Sequence, residues 1–106
     1  GPGGKMYIGN NRGLLVFDGI HWDLVKLPNN LGVRALYISK DGRIYVGSFE
    51  EFGYFEMDDE NDLIYHSLSS SEMNVYLNND EFWTINEYKG EIYFHSGAFL
   101  FMTGKK

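Results

Sequence analysis

The sequence predicts an all-β chain of repeated antiparallel sheets, and three observations carry the prediction. One short phrase is written three times: Lys5-Met6-Tyr7-Ile8-Gly9, Arg43-Ile44-Tyr45-Val46-Gly47 and Glu91-Ile92-Tyr93-Phe94-His95, with the tyrosines 38 and then 48 residues apart. A period of roughly 40 to 50 residues in a strand-forming sequence is that of one small sheet per repeat. The composition agrees, since 13 glycines, 8 tyrosines and 8 phenylalanines in 106 residues favour strands and tight turns over helices. Third, Leu14-Leu15-Val16-Phe17, Ala35-Leu36-Tyr37-Ile38 and Ile44-Tyr45-Val46 are apolar at consecutive positions, so both faces of each strand need cover. A two-sheet sandwich would alternate apolar with polar. Parallel sheets also produce such runs, but the Asp-Gly turns join antiparallel neighbours. Blades of a β-propeller, each covered on both sides by its neighbours, satisfy all three observations.

The elements follow in order. Gly1-Pro2-Gly3-Gly4 reads as a cloning remnant outside the fold. Residues 5–32 form a first, partial blade: strands Met6–Gly9 and Leu14–Asp18, a hairpin at Asp18-Gly19 where both residues tolerate positive φ, and a return strand His21–Leu27. After the loop Pro28-Asn29-Asn30-Leu31-Gly32, residues 33–68 supply four strands and one complete blade: Val33–Ser39, Arg43–Ser48, Gly53–Met57 and Leu63–Leu68. Residues 69–81 are an insertion that accounts for the longer second period. Residues 82–106 give a second partial blade, Phe82–Tyr88, Glu91–His95 and Ala98–Met102. The expected architecture is thus a propeller fragment of about two four-stranded blades, one complete between two partial ones. Trp22 and Trp83 stand among apolar strand residues, which predicts burial between blades.

Charge and cysteine usage bound the chemistry. The formal net charge is −6, so phosphate backbones repel this segment and no nucleic-acid contact is expected. No cysteine is present, which removes disulfides, thiolate nucleophiles and cysteine zinc sites. No apolar run reaches membrane-spanning length.

The stretch Arg34-Ala35-Leu36-Tyr37-Ile38-Ser39-Lys40-Asp41-Gly42-Arg43-Ile44-Tyr45-Val46-Gly47 resembles the two-component regulator propeller repeat, and Gly13-Leu14-Leu15-Val16-Phe17-Asp18-Gly19-Ile20-His21-Trp22 is similar to its Gly-Leu to Asp-Gly segment. Phe52-Gly53-Tyr54-Phe55 followed by Leu63-Ile64-Tyr65-His66-Ser67-Leu68 resembles the subgroup with a triple-tyrosine domain after the propeller. His95 departs from the pattern, standing where the repeat has glycine. The resemblance implies an extracytoplasmic, ligand-sensing propeller, periplasmic or extracellular, in a membrane-anchored bacterial regulator. The ligand would be a carbohydrate or another small extracellular molecule. The kinase or DNA-binding output would lie in other sequence.

Catalytic patterns are scarce. His21, His66 and His95 lack metal-pair spacing, and no Gly-x-Ser-x-Gly elbow or phosphate loop occurs. Asp58, Glu60 and Asp62 have the 1, 3, 5 spacing of a calcium loop. Leu63 and Ser69 stand where that loop needs glycine and glutamate, so an acidic turn is expected there. No catalytic residue, cofactor or metal is expected.

Binding has better candidates. In four-stranded blades, the second-to-third turns and the connections between blades share one rim. That rim collects Asn10, Asn11, Arg12, Asn29, Asn30, Glu50, Glu51 and residues 69–81, including Tyr76, Asn78 and Asn79. Seven of the nine asparagines fall in these segments, either because loops on a rigid scaffold carry binding groups or because asparagine favours turns. A protein-interaction module is the competing class. A propeller enzyme with its catalytic residues elsewhere is the third. Two blades leave broad apolar faces open, so the expected partners are further blades of a parent chain or copies of this one.

Overall fold

The computed structural model describes residues 4–48, 51–68, 83–96 and 99–103, without the side chains of residues 29, 83, 96 and 99. Ten strands form three antiparallel sheets in chain order: β1 (Met6–Asn10), β2 (Gly13–Phe17) and β3 (Trp22–Val25); β4 (Ala35–Ile38), β5 (Ile44–Ser48), β6 (Glu51–Met57) and β7 (Leu63–Ser67); β8 (Trp83–Tyr88), β9 (Glu91–Ser96) and β10 (Phe99–Thr103). Each sheet is a simple meander, as hairpin-connected strands require. The expected insertion, residues 69–81, lies outside the described residues.

Register confirms the repeat. Tyr7 pairs with Val16, Tyr45 with Tyr54 and Tyr93 with Met102, so β1, β5 and β9 hold one equivalent position. By that equivalence, the first sheet holds the second to fourth strands of a blade, the middle sheet all four, and the last sheet the first to third. The first strands of the middle and last sheets adjoin, β4 beside β8, and β1 also lies beside β4, as in sheets arranged radially. These are propeller blades.

The middle sheet shows why its strands are apolar at every position. Successive side chains point to opposite faces, and β5 is buried throughout. Ile44 and Val46 join Phe55 in a core shared with Tyr7, Leu14 and Val16 of the first sheet. Tyr45 joins Phe52 in a second core with Ile85, Ile92 and Phe94 of the last. One strand thus feeds two cores.

Three sequence expectations shift. The Phe52 strand begins at Glu51, two residues earlier than the Gly53 start expected, because Ser48 pairs directly with Glu51. The first return strand shortens to Trp22–Val25. Trp22 is not buried between blades: it is 53% exposed, stacked on Phe17 at 4.5 Å on the outer face of the first sheet, where no other sheet lies among the described residues.

The turn at Asp18 illustrates local control. Asp18 Oδ1 accepts the N–H groups of Ile20 (2.8 Å) and His21 (2.7 Å), an Asx-type turn, while Gly19 takes φ +104°. These bonds hold the Asp18 carboxyl below the usual carboxylate range. The lowered value means their contribution is present above the unfolded-state pKa and lost as pH falls through the folded one. Asp18→Ala is expected to speed amide exchange at Ile20 and His21 while leaving β5 amides protected. Unchanged exchange at these two amides would deny the side chain that role.

Candidate ligand-binding rim

Three chain segments meet at one end of the first two sheets. The β1–β2 turn presents Asn10, Asn11 and Arg12. The connection from β3 to β4 passes through a single 3₁₀ turn, Pro28–Asn30, in which proline supplies the fixed φ and lacks the N–H that such a first turn leaves unpaired. The paired strand ends Ser48 of β5 and Glu51 of β6 complete the set.

Backbone bonds lock these segments together. Val33 N–H donates to the Asn10 carbonyl and Arg34 N–H to the Gly47 carbonyl, both at 2.8 Å. The buried Ser48 hydroxyl donates to the Gly32 carbonyl. Gly32 is needed for close approach, since a Cβ there would stand 2.5 Å from the Asn11 carbonyl oxygen. These bonds tie Asn10, Gly32, Val33, Arg34, Gly47 and Ser48 into one framework.

The candidate residues divide by what they already do. Asn10 Oδ1 accepts the Arg12 N–H at 2.9 Å, and Asn30 occupies the left-handed region at φ 57°; both serve the turns. Glu51 Oε2 accepts hydrogen bonds from the Tyr65 hydroxyl (2.5 Å) and the Ser67 hydroxyl (2.7 Å), which ties β6 to β7. Burial, and then this bond, push the Tyr65 hydroxyl upward, so it remains the donor. The Asn29 side chain, Glu50, Tyr76, Asn78 and Asn79 lie outside the described residues.

What the structure brings together is Arg12 with Asn30. They line a groove of about 290 Å³ with Leu24 and Lys26. Neither Arg12 nor Lys26 takes part in an ion pair among the described residues. Two cations, an amide and an apolar floor make the groove suited to a small anionic ligand, in a chain whose overall charge is −6. Sequence reasoning missed Lys26. Its signal was the alternation along the return strand, which puts Leu24 and Lys26 on one face.

Two other places were weighed. A larger groove of about 490 Å³ opens between the first two sheets, with Lys5, Asp23 and Asp62 at its mouth and Val16, Val25 and Leu63 inside. The carboxylates of Asp58, Glu60 and Asp62 do converge within 4.8 Å of one another, all exposed. However, Asp58 Oδ1 also accepts the N–H groups of Glu60 and Asp62, both at 2.9 Å, which is the bonding of a capped turn.

Among known families, residues 26–50 match the model described as the two component regulator propeller. No curated protein and no solved structure matches the chain. The matched stretch covers the end of the first blade, the connection across the rim, β4 and β5. With the register equivalence of β1, β5 and β9, it supports the reading of the three sheets as propeller blades, in which residues 26–50 are similar to a two component regulator propeller repeat.

Proposed function

We propose that these blades belong to an extracytoplasmic, ligand-sensing propeller of a two-component-type regulator, and that they bind rather than catalyse. The observation that carries the reading is the groove at the rim, where Arg12 and Lys26, in no ion pair among the described residues, stand beside Asn30 and Leu24. Its chemistry suits a small extracellular anion with an apolar face, and a carboxylated saccharide combines the two. Carboxylate would take the guanidinium in a bidentate pair, the sugar's hydroxyls would meet Asn30, and its C–H face would lie on Leu24. Binding there can be felt by the next blade, because the connection through Gly32 and Val33 is bonded to both sheets.

Calorimetric titration with uronate-containing and matched neutral oligosaccharides tests this. Binding is expected for the acidic members only, weakened roughly tenfold by Arg12→Ala or Lys26→Ala, the loss of one charge-assisted contact worth about 1.5 kcal/mol, and further by added salt. Equal affinity for neutral sugars, or indifference to both substitutions, would refute the site. The competing reading, a protein-docking module, is favoured by the apolar outer face of the first sheet.

A further inference from the structure

We propose that the groove between the first and middle sheets is a second binding site, for a small aromatic amine. It lies at the end of the strands opposite the rim, where β1 and β3 begin and the β6–β7 turn falls. Its volume of about 490 Å³ is that of a ligand pocket, which runs from roughly 300 to 1,000 Å³. Both walls belong to the described residues: Val16, Asp23 and Val25 on the first sheet, Asn61, Asp62 and Leu63 on the middle one. The site is separate from the rim groove and does not rest on that reading.

The repeat shows what the groove lacks. Register makes Val16 equivalent to Tyr54, since each pairs with the tyrosine of its own repeat, Tyr7 or Tyr45. On the next strand Asp23 pairs with Val16 as His66 pairs with Tyr54, and Lys5 precedes β1 as Arg43 precedes β5. In the middle sheet these positions form one stack. The Tyr54 ring lies on His66 at 4.9 Å. The Arg43 guanidinium sits 4.4 Å from the centre of the Tyr54 ring, and its Nε donates to Glu56 Oε2 at 3.0 Å. In the first sheet a valine replaces the ring and a carboxylate replaces the imidazole. The cation is kept at Lys5, but the ring that the repeat sets beside it is not. The groove opens where that stack would stand.

The occupant follows from the groups that are missing. An aromatic ring would lie on Val16, Val25 and Leu63, with the Lys5 ammonium at its face as Arg43 is at the face of Tyr54, a cation–π contact. The ligand's ammonium would meet Asp23 and Asp62. These carboxylates come from opposite walls, and neither is in an ion pair among the described residues. The carboxylates of Asp58 and Glu60 lie within 4.8 Å of that of Asp62, which adds to the pull on a cation. A metal ion alone would make no use of the apolar interior, and an anion would meet more carboxylates than cations.

Titration of the chain with 2-phenylethylamine, followed through methyl NMR signals, tests the site. The comparison compounds are 2-phenylethanol, which lacks the charge, and butylamine, which lacks the ring. Ring currents should shift the methyl signals of Val16, Val25 and Leu63 at roughly millimolar amine, the affinity of a fragment-sized ligand. Asp23→Asn and Asp62→Asn, both at exposed positions, should each weaken binding roughly tenfold, the loss of one charge-assisted contact. Val16→Tyr, which restores the ring of the repeat, should abolish binding by filling the groove. Should that variant fail to fold, the two asparagine variants carry the test. Unmoved methyl signals, an equal response to either comparison compound, or full affinity in both asparagine variants would overturn the proposal.

Discussion

Gly53→Ala is expected to lower the melting temperature of the chain by roughly 10–20 °C, the equivalent of about 3 kcal/mol in a domain of this size. Gly53 is not a turn residue. It sits inside β6, opposite Val46 on one side and Ser67 on the other, where glycine ordinarily weakens a strand. Close approach explains its presence. A Cβ there would collide with the His66 carbonyl oxygen and lie 2.5 Å from the Tyr65 hydroxyl oxygen. Backbone cannot yield as a side chain can, so β7 must move outward. That movement strains the β6–β7 ladder and pulls Tyr65 from Glu51. Gly9→Ala is the internal comparison, since its Cβ would meet the Val33 side chain at 3.0 Å. The Val33 carbonyl oxygen at 3.1 Å limits that relief, so about 1 kcal/mol is expected. Melting curves showing equal losses for the two would remove close strand approach as the reason for Gly53.

How much of this was legible in the sequence depends on whether the signal was local. The hairpin at Asp18-Gly19 and the three tyrosine strands could be read directly, because turn chemistry and period are written in neighbouring residues. The two-faced burial of β5 was legible too, from its unbroken apolar run. The fate of Trp22 was not, since an apolar strand residue reads the same whether its face is covered or open. The groove was half legible. Arg12 and Asn30 followed from topology, which sends turns and connections to one rim. Lys26 needed the exact end of β3, and strand ends are set by pairing with β2 and not by local preference. Nor did the asparagines announce their division of labour: Asn10 is committed to its own turn, and only a hydrogen-bond partner reveals that.

Phe94→Ala is expected to release the last sheet while the first two stay folded. Phe94 is fully buried, with its ring 5.8 Å from Tyr45 in an edge contact and 4.8 Å from Phe52. Truncating a phenylalanine in such a core costs about 3–5 kcal/mol. The two cores are separate clusters on opposite faces of β5, and the first contains no residue of the last sheet. Stability in stacked repeats is close to a sum of repeat and neighbour terms, so the loss falls on one interface. Side-chain and backbone links from Glu87 to the Tyr37 hydroxyl (3.2 Å) and the Lys40 N–H (3.3 Å) lie in that same interface and cannot hold it alone. Hydrogen exchange should therefore rise across β8–β10 while β1–β3 keep their protection. Val46→Ala, a smaller cut into the other core, should show the reverse order, loosening β1–β3 first. Uniform loss of protection in both variants would mean that the three sheets unfold as one unit.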